Sequence, residues 1–256
     1  MELLSYPTPP EVRAFTTTRE GGVSTGHYGT MNISHYCGDL PEHVTENRRR
    51  LAEELGIAPE RLIVPRQVHD DIVRPVGDDY FALPAEERAA YLEGVDAVMT
   101  DLRGVCLGVS TADCVPVLLY DTARGVVAAA HAGWRGTVKR IVEKTVRAME
   151  ATYGSAPADL HAVIGPSISP DAFEVGDEVY DAFSAAGFPM NEIAQRRRKW
   201  HIDLWAANYL QLEALGLPAE HIAVSGICTY SNPDTYFSAR RLGIESGRLY
   251  SGIVRK

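Results

Sequence analysis

Apolar positions along the chain follow two rhythms. From residue 96 to residue 130 four short apolar runs come one after another with only turns between them: Asp96 to Thr100, Val105 to Val109, Val115 to Tyr120 and Val126 to Ala130. Each is too brief for a helix and reads as a strand. Val12 to Thr18, Leu62 to Val68, Ile72 to Val76, Leu160 to Ile164, Ile222 to Ile227 and Tyr236 to Ser238 read as further strands, with Gly21-Gly22 as a turn. The helical rhythm governs other stretches. Pro41 to Gly56 starts with a proline suited to a first turn and puts Val44, Leu51 and Leu55 on one face. Val138 to Tyr153 carries Val138, Ile141, Val142, Val146 and Met149 along one side. Val175 to Ala186 and Leu204 to Leu215 are helices with Gly187 and Gly216 just past their ends, and the charged, Ala-rich stretch from Pro84 to Glu93 is a short surface helix.

Strands that follow one another without intervening helices disfavour a doubly wound sheet. The pattern predicts an α+β fold of layered α/β/β/α type, with mixed central sheets flanked by helices. No linker, repeat or low-complexity segment divides the chain, so residues 1–256 are expected to form one domain.

Composition adds exclusions. A 256-residue chain with 45% hydrophobic residues supports a sizeable core. A net charge of −9 argues against nucleic acid or an anionic membrane as partner. There is no apolar run long enough to span a bilayer and no secretory leader in MELLSYPTPP, so a cytoplasmic location is expected, with no obligate protein partner inferred. Cys37, Cys106, Cys114 and Cys228 are far apart and read as free thiols.

Candidate chemistry begins at VVAAAHAGWRGT, residues 126–137, where an apolar run stops at His131. His69 ends another run, and Cys114 directly precedes VPVLLY. If these strand ends meet on one rim, two imidazoles and a thiolate suit Zn2+ and leave one coordination position open, the catalytic pattern. Spacing alone leaves two other readings open: a rim histidine beside a buried core cysteine, and a Cys114–His nucleophile–base pair. After His131, Gly133 and Gly136 permit a tight turn and Thr137 is a candidate N-cap. With Arg135 nearby, this helix start is a candidate anion site. Trp134 is either core packing or a flat face for a nucleobase. Arg196-Arg197-Arg198-Lys199 reads as a solvated loop.

Several longer motifs occur in order: TTREGGVS (17–24), RQVH (66–69), TADCVPVLLYD (111–121), HAGWRGT (131–137), IGPSI (164–168), FEVGDEV (173–179), DLW (203–205), CTYSNPDTYFSARR (228–241) and SGR (246–248). They span nearly the whole chain. Together they resemble the zinc-dependent purine nucleoside phosphorylases of the laccase-domain type, a family also labelled polyphenol oxidase and, for some members, peptidoglycan editing factor. The resemblance implies a layered α/β domain and one metal per chain, held by His69, Cys114 and His131, which are then the catalytic residues. It implies phosphorolysis of adenosine, inosine, guanosine and S-methyl-5'-thioadenosine, together with adenosine deamination. Purine nucleosides and inorganic phosphate are the implied partners. Arg66, Arg135, Arg240 and Arg241 are the candidates to neutralise phosphate charge.

Two departures qualify the match. Cys37 stands where an aliphatic residue is usual, and Leu242 stands where an Asp commonly follows the two arginines. His35 and Cys37 form an H-x-C pair read as ordinary side chains rather than ligands. The oxidase label fails on ligand count. A multicopper oxidase needs roughly ten His arranged largely as H-x-H pairs, whereas this chain has eight His and no such pair. Copper as a substitute ion at a His2Cys site would give at most weak polyphenol oxidation. Hydrolytic editing of a UDP-linked cell-wall precursor is the other alternative. Asp113 and Asp70 are the acids nearest the trio in sequence, but neither is assigned as the proton shuttle.

Overall fold

A computed structural model describes residues 1–256. Along the chain run β1 (Leu3–Ser5), β2 (Val12–Thr17), α1 (Pro41–Leu55), β3 (Leu62–Ile63), β4 (Val73–Pro75), α2 (Asp78–Ala82) and α3 (Ala85–Tyr91). Then come β5 (Ala97–Thr100), β6 (Cys106–Thr111), β7 (Val115–Asp121), β8 (Val126–Ala132), α4 (Trp134–Val138), α5 (Ile141–Tyr153) and β9 (Leu160–Ile164). The last third holds β10 (Glu174–Val175), α6 (Asp177–Ala185), α7 (Met190–Ile193), β11 (Ala194–Arg196), β12 (Trp200–Ile202), α8 (Leu204–Ala214), β13 (Ile222–Val224), α9 (Ala239–Leu242) and β14 (Leu249–Arg255).

Two mixed sheets stack face to face. One has the order β1-β2-β14-β6-β3 and the other β13-β9-β7-β8-β5-β4, while β10-β12-β11 form a small third sheet. Side chains alternate across each strand. Leu118 and Tyr120 of β7 turn toward Ala14, Val109 and Ile253 of the other sheet. Val117 and Leu119 turn the opposite way, onto Ile141, Val146 and Met149 of α5 and Leu212 of α8. On the far face of the five-stranded sheet, Phe15 and Tyr250 pack against Leu51 of α1. The result is the expected α/β/β/α layering. Its inner strands read as unbroken apolar runs because both their faces are covered: every residue of β7 and β8 is buried.

Several local readings change in three dimensions. The expected helix from Val138 to Tyr153 starts only at Ile141, and a separate short helix, α4, ends at Val138. Arg140 separates the two with φ +65°, held there by its guanidinium on the Ala186 carbonyl and over the Phe188 ring. Thr137 is therefore not an N-cap. It is buried, and its hydroxyl donates to the Ala132 carbonyl. The Leu62 to Val68 strand ends after Ile63, shortly before Pro65, which has no N–H to give a ladder. Tyr236 to Ser238 is not a strand: Tyr236 and Phe237 are apolar because they pack on Ala112 and Leu249, and Ser238 caps α9. The C-terminal strand β14, absent from the periodicity reading, lies between β2 and β6. Its Gly252 pairs with Gly108, and the two glycines make room for the Tyr250 ring, whose hydroxyl donates to the Ile63 carbonyl at 2.9 Å.

Candidate metal centre

β7 and β8 are antiparallel neighbours, so the start of β7 lies beside the end of β8. That places Cys114, just before β7, close to His131 on β8. His69 arrives from a different layer, on the segment that leaves the five-stranded sheet at β3 and joins the six-stranded sheet at β4. One donor atom from each of the three lies within 4.8 Å of the others. Cys114 Sγ is 3.6 Å from His69 Nε2, and the two imidazole rings meet edge to face with centroids 4.8 Å apart. His69 is exposed, Cys114 half-buried and His131 buried.

Asp96, immediately before β5, organises this corner. It is fully buried. Its Oδ1 accepts the His69 backbone N–H at 3.0 Å and pairs with His131 Nδ1 at 2.7 Å, while Oδ2 accepts the N–H groups of Val68 and Asp70 at 3.1 and 2.9 Å. The Asp96 carbonyl also accepts the His131 N–H at 2.8 Å. These bonds hold His69 at φ +63°, a conformation that is costly for a residue with a Cβ. Asp96 carries no mark in the sequence beyond standing at the head of an apolar run. The signal that could have found it is a buried acid beginning a strand that neighbours a ligand strand.

The charges reinforce one another. Burial opposes ionisation of Cys114, but the neighbouring His131, followed by His69, outweighs it and brings the thiol down to about 6. Burial likewise opposes a charged His131, but the Cys114 thiolate and the Asp96 carboxylate raise its pKa to about 9. Burial pushes Asp96 up, but hydrogen bonding and charge from His131, together with the backbone N–H groups, leave it below the usual carboxylate range. A Cys114 thiolate is thus paired with a protonated His131 beside His69, and because His131 Nδ1 is engaged by Asp96, its Nε2 is the nitrogen left to meet an ion in exchange for a proton. This donor set fits a borderline-soft ion such as Zn2+ and would also accept copper.

The trio lines a cavity of about 880 Å3 that also includes Trp134, Phe173 and Arg240. Of the four arginines singled out, Arg240 lines this cavity. Its backbone N–H donates to Asp113 Oδ2 at 2.6 Å and its guanidinium to the Glu174 carbonyl. Arg66 is paired with Glu93 and stacked on Tyr36, Arg135 stacks on Trp134, and Arg241 lies over Tyr230. None of those three lines the cavity. Arg248, from the SGR motif, does line it, as does Cys37. The Cys37 thiol donates to the Ser34 carbonyl and joins no ligand cluster with His35. Asp70 is committed to Lys139, and the Asp113 carboxylate to Thr229 and Arg240. In the basic run at 196–199, Arg196, Arg197 and Lys199 are paired with Asp177, Asp171 and Glu174.

Comparison with known proteins gives a consistent picture. The family model described as "Multi-copper polyphenol oxidoreductase laccase" matches residues 13–256. A purine nucleoside phosphorylase of Bacteroides thetaiotaomicron is 49% identical over 94% of this chain and 90% of its own length. The adenosine deaminase RL5, from an unknown prokaryotic organism, is 46% identical over 96% of this chain and 94% of its own. The crystal structure of YlmD from Geobacillus stearothermophilus superimposes with a TM-score of 0.90 at 36% identity, covering 96% of this chain and 93% of that one.

Proposed function

The chain belongs to the laccase-type polyphenol oxidoreductase family, and from that premise we propose that it is a zinc-dependent purine nucleoside phosphorylase with adenosine deaminase activity. Adenosine, inosine, guanosine and S-methyl-5'-thioadenosine are its nucleoside substrates and inorganic phosphate its second substrate. Residues 1–256 act as one cytoplasmic domain; no helix is long and apolar enough to cross a membrane. The observation that carries the reading is the gathering of His69, Cys114 and His131 at one wall of a cavity large enough for a nucleoside. The names of the relatives supply the chemistry to test.

These three side chains would hold the ion. When bound, it supplies a Lewis acid with a coordination position left for a ligand. The chain's own groups do the rest. The Arg240 guanidinium, held by the Glu174 carbonyl while Asp113 fixes the Arg240 backbone N–H, neutralises phosphate charge at the cavity wall. Trp134 and Phe173 offer apolar surface to the base and exclude water around the departing glycosidic bond. The structure groups one set of three His and Cys ligands, which is short of the set a multicopper oxidase needs, so oxidation is not assigned as the native chemistry.

Purified zinc-loaded protein given inosine with phosphate is expected to release hypoxanthine and ribose 1-phosphate, and to do neither without phosphate. Ribose released without phosphate would replace the phosphorylase reading by a hydrolase. Ammonia from adenosine tests the deaminase. His69→Ala, Cys114→Ala and His131→Ala are each expected to lose bound metal and both activities together; full activity without metal would remove the metal mechanism.

A further inference from the structure

Asp96 has no Lys or Arg within ion-pair distance, yet it is a fully buried carboxylate. Such a group persists only where donors surround it. All four of its side-chain contacts are N–H groups, and two of them belong to the candidate ligands. We propose that Asp96 is a positioning residue that sets both histidine ligands as one unit, orienting the His131 ring so that Nε2 meets the ion and pinning His69 in its left-handed backbone. The inference rests on the metal reading above and deepens it.

A carboxylate offers two acceptor oxygens to four donors, whereas an asparagine offers one oxygen and an NH2 group. In Asp96→Asn, an amide oxygen facing Val68 and Asp70 leaves the NH2 facing His131 Nδ1. That nitrogen must then accept, and the ring proton moves to Nε2, where it blocks the ion. In the flipped orientation the NH2 opposes the Val68 and Asp70 N–H groups, and the 68–70 turn that carries His69 is pushed away. Either way one ligand is lost, although the replacement is nearly isosteric.

The experiment compares zinc dissociation constants, by chelator competition, for wild type and Asp96→Asn. The expected result is a 10–100-fold weakening and loss of the tetrahedral visible absorption of the Co2+-loaded form. A lower melting temperature of the metal-free variant, and some loss of zinc affinity through His69, follow even if Asp96 only glues the loop; a change of the His131 tautomer, read from its ring 15N shifts, does not. If the variant fails to fold, 15N–1H spectra of zinc-loaded wild type decide. An exchange-protected proton on His131 Nδ1 with Nε2 bound to the ion supports the proposal, and coordination through Nδ1 overturns it. Zinc affinity of Asp96→Asn within about threefold of wild type also overturns it. Wild-type protein that takes up no zinc would defeat the metal reading itself, an outcome distinguishable because it needs no variant.

Discussion

Gly133 sits between β8 and α4 with φ −62° and ψ 167°, a conformation open to any L-residue. A Cβ built there would lie 3.0 Å from Cys114 Sγ and 3.0 Å from His69 Cδ2. Ordinary van der Waals contact begins near 3.4 Å, so Gly133→Ala requires two of the three candidate ligands to give way by a few tenths of an ångström. Metal–ligand distances tolerate only about ±0.2 Å. The substitution is therefore expected to weaken zinc binding about 10–100-fold, or about 1.4–2.8 kcal/mol. Folding should move the other way. The backbone is unstrained for alanine, and the lost chain entropy of glycine favours the variant by about 0.4–1 kcal/mol. The assay measures both quantities on one protein: zinc affinity by chelator competition, and urea unfolding of the metal-free form. The signature is opposite signs, weaker metal with equal or higher metal-free stability. Zinc affinity within about twofold of wild type would refute the steric reasoning. Metal-free destabilisation beyond about 2 kcal/mol would show that the backbone argument is wrong.

Arg240→Met is expected to raise the KM for phosphate about 10–100-fold, from loss of a charged hydrogen bond worth about 1.5–3 kcal/mol. Methionine at Arg66, Arg135 or Arg241 should change it by less than about threefold, because those side chains do not line the cavity; initial rates against phosphate concentration check both. Away from the site, burial pushes the Cys106 thiol up to about 12 from an ordinary 9.0. A raised folded-state pKa means the unfolded chain ionises first, so stability is intact below pH 9 and is lost as pH climbs from there toward 12. At pH 10.5 this costs about 2 kcal/mol. Cys106→Ala should be less stable at pH 8 but lose less between pH 8 and 10.5 than wild type; parallel losses in urea titrations would rule this out. Gly108→Ala would place a Cβ 2.2 Å from the Tyr250 ring, and overpacking there should destabilise by about 3 kcal/mol, lowering the melting temperature by about 6–12 °C. An unchanged melting temperature would mean that the ring moves freely.

What the sequence determined by itself is what neighbouring residues decide together. Short unbroken apolar runs marked β7 and β8, Pro41 and Gly56 bracketed α1, and Gly187 and Gly216 stand in left-handed backbone just past α6 and α8. The ordered motifs named His69, Cys114 and His131 through a resemblance, where spacing alone left three readings open. Tertiary structure decided the rest. Leu249–Arg255 became a central strand because β2 and β6 left a place between them, and its two small residues, Ser251 and Gly252, interrupted the apolar run that would have announced it. Arg140 broke a well-patterned helix because Ala186 and Phe188 hold it from another part of the chain. Arg240 reached the cavity wall, and three other arginines found partners elsewhere. Asp96 was silent in the sequence because its role depends on His69 and His131, 27 and 35 residues away, which only the sheet order brings to it. Local pattern records the solvent each residue meets within its own element, whereas a site is made of groups whose meeting depends on which strands lie side by side.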